Sequence, residues 1–195
     1  MIPGTVWGAT EAEREAPLPC DDRQPGGLQA DRAISVDAPH ALVYAWLCQL
    51  RVAPYSYDLL DNFGKRSPRR RDPMLTELAV GQRFMSQFEL VSFALGRHIT
   101  LVSGKACVTY AVRPEGAGTR LLVRIRCGAP RLVAVTLALG DLLMMRKQLL
   151  TLKELAEAEH RAGSAASSGP PERRAPRRRR SFRRLIRLSG ARHTS

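Results

Sequence analysis

Residues 32–62 read RAISVDAPHALVYAWLCQLRVAPYSYDLLDN, and this stretch decides the fold. Its start alternates between Ile34 and Val36 on one side and small or polar residues on the other, which predicts a β-strand. Asp37 then suits a helix N-cap and Pro39 suits the first helical turn. The apolar residues that follow recur every three or four positions up to residue 50, which predicts a helix with one buried stripe formed by Val43, Trp46, Leu47 and Leu50.

A second short helix is predicted to begin around Tyr55, where Ser56 or Asp58 can cap it, and to end before Gly64. The sequence KRSPRRR at residues 65–71 follows it. We interpret this basic cluster as a solvated loop rather than a site for phosphate or a lipid headgroup, because exposed loops commonly carry such charges.

Four further strands are predicted at residues 82–93, 98–103, 106–113 and 120–127. Residues 114–118, PEGAG, form a hairpin loop between the last two, so consecutive strands should pair antiparallel. In the last strand Leu121, Val123, Ile125 and Cys127 alternate with Arg120, Leu122, Arg124 and Arg126. We therefore expect one buried face and one face in water.

A long helix is predicted for residues 136–159. Its apolar stripe consists of Leu142, Met145, Leu149, Leu152 and Ala156, and Leu139, Leu143 and Leu150 would widen it. A coiled-coil seam has the same spacing, but this stripe is short and the preceding strands need a cover. The expected fold class is thus α+β, with an antiparallel sheet packed on a long C-terminal helix.

The length of 195 residues and the apolar content of 44% predict one folded domain with flanking segments. Residues 1–30 should form an N-terminal arm without regular elements, because prolines and glycines interrupt it, and Trp7 should anchor it to the body. Residues 31–160 form the domain. Residues 161–195 carry eleven Arg and one Glu, so they hold +10 of the net charge of +13 and leave +3 for the rest.

We expect this Arg-rich tail to be disordered up to about residue 180. The segment after it would become amphipathic if helical, and the interleaved apolar side chains favour an anionic membrane surface over nucleic acid as a partner. A tail that only improves solubility has the same composition. The tail residues assigned to membrane or anion contact are Arg177, Arg178, Arg179, Arg180, Phe182, Arg183, Arg184, Leu185, Ile186 and Arg187.

The four cysteines, at positions 20, 48, 107 and 127, lack the spacing of a zinc or redox motif. We interpret Cys48, Cys107 and Cys127 as buried thiols, and we expect a reducing, cytoplasmic setting with no metal. The first fifteen residues lack the basic start and apolar core of a secretory signal, and the longest apolar run is far shorter than a membrane span. No nucleophile elbow, zinc-protease motif or phosphate loop is present, and His98 is the histidine whose position could face an interior.

The order of several motifs resembles the SRPBCC superfamily, the START-like and polyketide-cyclase helix-grip proteins. The motifs in order are WGAT at residues 7–10, PLP at 17–19, a strand ending in DAP at 37–39, a helix containing Trp46, YSYD at 55–58, then strands and a long terminal helix. The resemblance implies a helix-grip fold, in which a curved antiparallel sheet wraps around the long C-terminal helix and two short helices follow the first strand.

The resemblance also implies a cavity between the long helix and the concave face of the sheet. The residues expected to line it are Trp46, Tyr55, Tyr57, Phe84, Phe88, Tyr110, Met144 and Met145. We expect such a cavity to bind a hydrophobic small molecule or lipid without a cofactor and without catalytic residues. A polyketide cyclase or dehydratase is the alternative, an interaction protein acting through its tail is a third, and the oligomeric state stays open.

Overall fold

The computed structural model describes residues 4–56 and 66–167, and within the last helix it describes the backbone of residues 131–141 but not their side chains. Its strands are β1 (Val6–Trp7), β2 (Leu28–Val36), β3 (Arg83–Phe84), β4 (Phe88–Ala94), β5 (His98–Ser103), β6 (Ala106–Glu115) and β7 (Gly118–Cys127). Its helices are α1 (Glu11–Glu15), α2 (Pro19–Arg23), α3 (His40–Cys48) and α4 (Arg131–Ser167), with 3₁₀ turns at Gln49–Arg51 and Pro73–Thr76.

The strands form one sheet in the order β1-β2-β7-β6-β5-β4-β3. The short β1 runs parallel to β2, and the other neighbours pair antiparallel. β6 and β7 pair over their whole length, from Ala106 opposite Cys127 to Glu115 opposite Gly118. The hairpin loop is therefore shorter than predicted and consists of Gly116 and Ala117.

Helix α4 crosses the inner face of the sheet and buries the predicted stripe. Met145, Leu149, Leu152 and Ala156 are buried there. They belong to one core cluster with apolar residues of β4, β5, β6 and β7. The predicted α+β class and helix-grip arrangement are confirmed by this topology. The predicted widening of the stripe is wrong for Leu143 and Leu150, which are exposed because they point away from the sheet.

Helix α3 lies in the same core, and it is buried more completely than its predicted stripe. All residues from Val43 to Cys48 are buried, because the sheet and α4 lie against the helix together with the turn at Pro73–Thr76. Helix α3 begins after Pro39, which is itself the N-cap, and no side chain caps this helix. The predicted N-cap at Asp37 is therefore wrong, because the helix begins two residues later than that cap requires. This packing places Trp46 at the centre of the interior.

The predicted strand at residues 82–93 is interrupted. Met85 and Ser86 adopt positive φ values of 47° and 62°, which a continuous strand does not allow, and they form the turn between β3 and β4. Tyr55 also has a positive φ, of 56°, so no helix begins at that residue. The remainder of the predicted second short helix, residues 57–65, lies outside the described residues.

The N-terminal arm is ordered, which corrects the expectation that prolines and glycines would prevent regular elements there. Thr10 caps α1 through a capping box, in which its hydroxyl accepts from the Glu13 N–H and the Glu13 carboxylate accepts from the Thr10 N–H. Gly8 has a φ of 73° and lies so close to the Ala33 carbonyl that a Cβ would clash. Trp7 packs against the core and its ring lies 5.6 Å from the Arg146 guanidinium, so its anchoring role is confirmed.

The arm covers the outer face of β7, which the sequence pattern predicted to lie in water. Leu122 and Arg124 are buried on that face, with Leu18, Cys20, Ala33, Cys107 and Ala111 around them. Arg120 binds Glu13 with Nε–Oε1 at 2.7 Å, and Arg126 binds Asp21 with Nε–Oδ1 at 2.7 Å. The arginines of β7 therefore hold the arm on the sheet instead of facing solvent.

The four cysteines are free thiols. Cys48 and Cys107 are buried as predicted, and Cys20 is buried as well. The prediction is wrong for Cys127, which is half-buried because it lies at the end of β7. Burial raises the pKa of the Cys48 and Cys107 thiols to about 11. These two thiols are therefore protonated at neutral pH and poorly nucleophilic.

Candidate ligand-binding interior

Six of the eight predicted cavity residues lie at or beside the interior between the sheet and α4. Trp46, Tyr55, Phe84, Tyr110 and Met145 are buried in the core cluster, and the half-buried Phe88 packs against it. Met144 is 39% exposed, because neighbouring residues of a helix point in different directions, so it does not face this interior. Tyr57 lies outside the described residues, as do the tail residues 177–187.

Trp46 and Tyr55 meet edge to face, with ring centroids 6.0 Å apart and an angle of 88° between the planes. This is a favourable arrangement for two aromatic rings. The Trp46 indole Nε1 donates to Glu159 Oε2 at 3.0 Å, and Arg71 binds the other oxygen of the same carboxylate at 2.9 Å. Both the apolar and the polar part of Trp46 are thereby held in one orientation.

A buried polar pair lies within this apolar interior. The Tyr110 hydroxyl donates to Gln148 Oε1 at 2.8 Å and contacts Met145 Sδ at 3.7 Å. Gln148 Nε2 donates to the Pro54 carbonyl at 2.6 Å and contacts Met85 Sδ at 3.4 Å. The carboxamide is 4% exposed, so bonds on both sides compensate the cost of its burial. The sequence analysis did not identify Gln148 as a site residue.

Two residues with left-handed backbone lie beside this pair. Tyr55 directly follows Pro54, whose carbonyl accepts from Gln148, and Met85 contacts the Gln148 amide itself. A positive φ is uncommon for a bulky residue and costs about 1–3 kcal/mol. Such conformations persist where the surrounding structure imposes them, often at binding sites.

Among the half-buried apolar side chains that pack against the core cluster are Met85, Phe88, Phe93 and Ile125. Ile125 lies opposite Val108, and Val108 lies opposite Leu101, so these residues share the inner face of the sheet. Near the end of β2, Lys153 of α4 donates to the Ser35 carbonyl at 2.7 Å, whereas Met85 contacts the Gln148 amide on the side of the pair. Accessible apolar surface thus remains beside the Tyr110–Gln148 pair.

His98 does not face this interior. It pairs with Ala111, which belongs to the outer cluster, so both side chains lie on the outer face of the sheet. Burial lowers the pKa of the imidazole, which favours its neutral form. The expectation that His98 could act from within the cavity is therefore wrong.

Within the residues whose side chains are described, no group of three or more His, Cys, Asp or Glu residues is placed to hold a metal ion. Of the helices in the described part of the chain, none combines the length and apolar character needed to cross a bilayer.

No family model matches the chain, and no curated protein matches it. Solved structures with a similar fold include a structural-genomics protein from Chromobacterium violaceum, with 14% identity, coverage of 66% of this chain and 96% of that chain, and a TM-score of 0.45. CalU16 from Micromonospora echinospora has 11% identity, coverage of 70% and 86%, and a TM-score of 0.42.

A polyketide_cyc-like protein from Corynebacterium glutamicum has 18% identity, coverage of 74% and 96%, and a TM-score of 0.33. At these identities and TM-scores the likeness says nothing about ligand or reaction.

Proposed function

We propose that this protein binds a hydrophobic small molecule or lipid against the inner face of its sheet, beneath α4. The observation that carries the proposal is the buried Tyr110–Gln148 pair among apolar side chains. Ligand sites are typically apolar surfaces with a few placed polar groups, which fix the orientation of the ligand. The pair supplies such groups, and the half-buried Ile125 and Phe88 supply apolar surface next to it.

The binding energy in this proposal comes from apolar burial. Each Å² of apolar surface removed from water contributes about 25 cal/mol, so a ligand that covers even the half-buried side chains gains several kcal/mol. Met85 and Met145 have flexible thioether side chains that can adapt to the shape of the ligand.

The experiment uses the full chain and the neutral apolar probe diphenylhexatriene, whose fluorescence rises in an apolar site. The substitution Ile125→Trp places a large side chain on the half-buried inner surface of the sheet. The control Leu95→Trp introduces the same side chain in the β4–β5 turn, at a residue that is 70% exposed. We expect Ile125→Trp to weaken probe binding at least tenfold and Leu95→Trp to leave it unchanged, with circular dichroism confirming that both fold. Equal binding by both variants, or no binding by the wild type, would refute the proposal.

Native mass spectrometry and solvent extraction of the purified chain identify the ligand class. A defined apolar molecule that co-purifies and is released unchanged supports a carrier. A co-purifying molecule that the protein converts into a product of different mass supports the cyclase or dehydratase alternative instead.

A further inference from the structure

A small recess lies where the basic loop meets α4. Its walls are formed by Tyr55, Ser56, Ser67, Arg69, Lys147 and Thr151, and its volume is about 100 Å³. A recess of this size admits a small charged group such as a phosphate or carboxylate. Two of its wall residues, Arg69 and Lys147, carry the cations that bind oxyanions. The Thr151 hydroxyl donates to the Lys147 carbonyl at 2.9 Å, so the two cations supply the hydrogen bonds to an anion.

The charges of the recess favour an anion. Within the described part of the chain, the Lys147 ammonium makes no ion pair. Arg69 pairs with Glu154 at 3.1 Å, but both side chains are about two-thirds exposed, so this pair contributes little and an anion can replace the carboxylate. Lys147 and Thr151 are one helical turn apart on the same side of α4.

The recess adjoins the interior at Tyr55. This residue lines the recess and packs edge to face on Trp46 in the core. The recess and the apolar interior therefore share Tyr55 as a common wall, so an anionic end at Lys147 lies next to the apolar part of the site. The sequence alone favoured a solvated loop at residues 65–71, and the recess is what changes that interpretation.

We propose that the recess formed by Arg69, Lys147 and Thr151 binds a phosphate-type oxyanion, the charged end of the apolar ligand, which makes the ligand an anionic amphiphile. The inference rests on the proposed function for the apolar part of the ligand. The anion itself can come from two sources, as the headgroup of that amphiphile or as free phosphate.

The test compares three probes on the full chain by isothermal titration calorimetry, below the micelle concentration: octyl phosphate, 1-octanol and inorganic phosphate. The variant is Lys147→Gln, and the matched control is Lys105→Gln in the exposed β5–β6 turn. We expect octyl phosphate to bind at least tenfold more tightly than 1-octanol. Lys147→Gln should lower the affinity for octyl phosphate about tenfold and leave the affinity for 1-octanol unchanged. Lys105→Gln should change neither affinity.

Inorganic phosphate distinguishes the sources. If it competes with octyl phosphate in a Lys147-dependent way, the recess binds phosphate by itself; if it does not, the site requires the amphiphile. Equal effects of Lys147→Gln and Lys105→Gln on octyl phosphate would overturn the recess while the apolar site stands. Lys147-dependent phosphate binding without any octanol or diphenylhexatriene binding would instead keep the recess and refute the proposed function.

Discussion

Arg124 is a buried arginine, and we expect the stability of the protein to depend strongly on it. The substitution Arg124→Lys, which keeps the charge, tests this expectation. Its guanidinium is 2% exposed and uses all five N–H donors. Nε donates to Asp31 at 2.7 Å, and Nη1 donates to Asp21 at 2.7 Å and to the Ala16 carbonyl at 2.8 Å. Nη2 donates at 2.8 Å to the carbonyls of Glu13 and Arg14.

The magnitude follows from the number of donors. A lysine ammonium keeps the charge but has three donors, so at least two of the five partners lose their hydrogen bond. Each lost bond to a charged group costs about 1.5–3 kcal/mol. We therefore expect Arg124→Lys, which loses two of them, to lower the free energy of unfolding by about 3–6 kcal/mol. With a urea dependence of about 2 kcal/mol/M, the midpoint should fall by about 1.5–3 M.

The assay is urea unfolding followed by tryptophan fluorescence and circular dichroism. Arg113→Lys is the matched control, because Arg113 is an exposed arginine on β6 of the same sheet. The control should stay within about 0.5 kcal/mol of wild type. If Arg124→Lys also stays within about 0.5 kcal/mol, the five-donor argument is wrong.

Three further predictions concern other parts of the molecule. The hydrogen bond from Arg120 lowers the pKa of Glu13 from 4.5 to about 2, so its stabilisation is complete above about pH 4.5 and is lost as the pH falls through about 2. Glu13→Gln should flatten the dependence of unfolding free energy on pH in that window, and an unchanged slope would contradict this. Tyr110→Phe and Gln148→Leu should show a coupling energy of about 1 kcal/mol in a double-mutant cycle, whereas additive effects would mean that the two do not act as a pair. Of the four thiols in the native protein, Cys127 should react first with iodoacetamide in peptide mapping by mass spectrometry, and faster labelling of a buried thiol would disagree with the fold.

The sequence pattern predicted an antiparallel sheet packed on a long C-terminal helix well because its signals are local and periodic, whereas the helix-grip arrangement was implied by the family resemblance. Leu149, Leu152 and Ala156 repeat at helical spacing, and α4 buries them where the sheet needs a cover. The strands at residues 98–103 and 120–127 follow equally local alternation. The turn at Met85 and Ser86 was missed because neither residue type signals a left-handed backbone.

The residues that the sequence did not reveal depend on contacts with distant segments. Arg124 alternates with apolar neighbours, so it was predicted to lie in water, and only the docked arm makes it a buried residue. One local signal was available, since Thr10 and Glu13 have the spacing of a capping box. Gln148 had no such signal, because its partners Tyr110 and Pro54 lie 38 and 94 residues away in the sequence.

The contacts between the arm and β7 also affect the order of events during synthesis. Arg124 lies 103 residues beyond Asp21 and 111 residues beyond Glu13, so the arm leaves the ribosome long before the strand that holds it. At about 5–20 residues per second, that interval lasts roughly 5–20 s. During it, the arm lacks the β7 surface that binds its carboxylates. Docking of the arm on β7 should therefore be a late step in the folding of this protein.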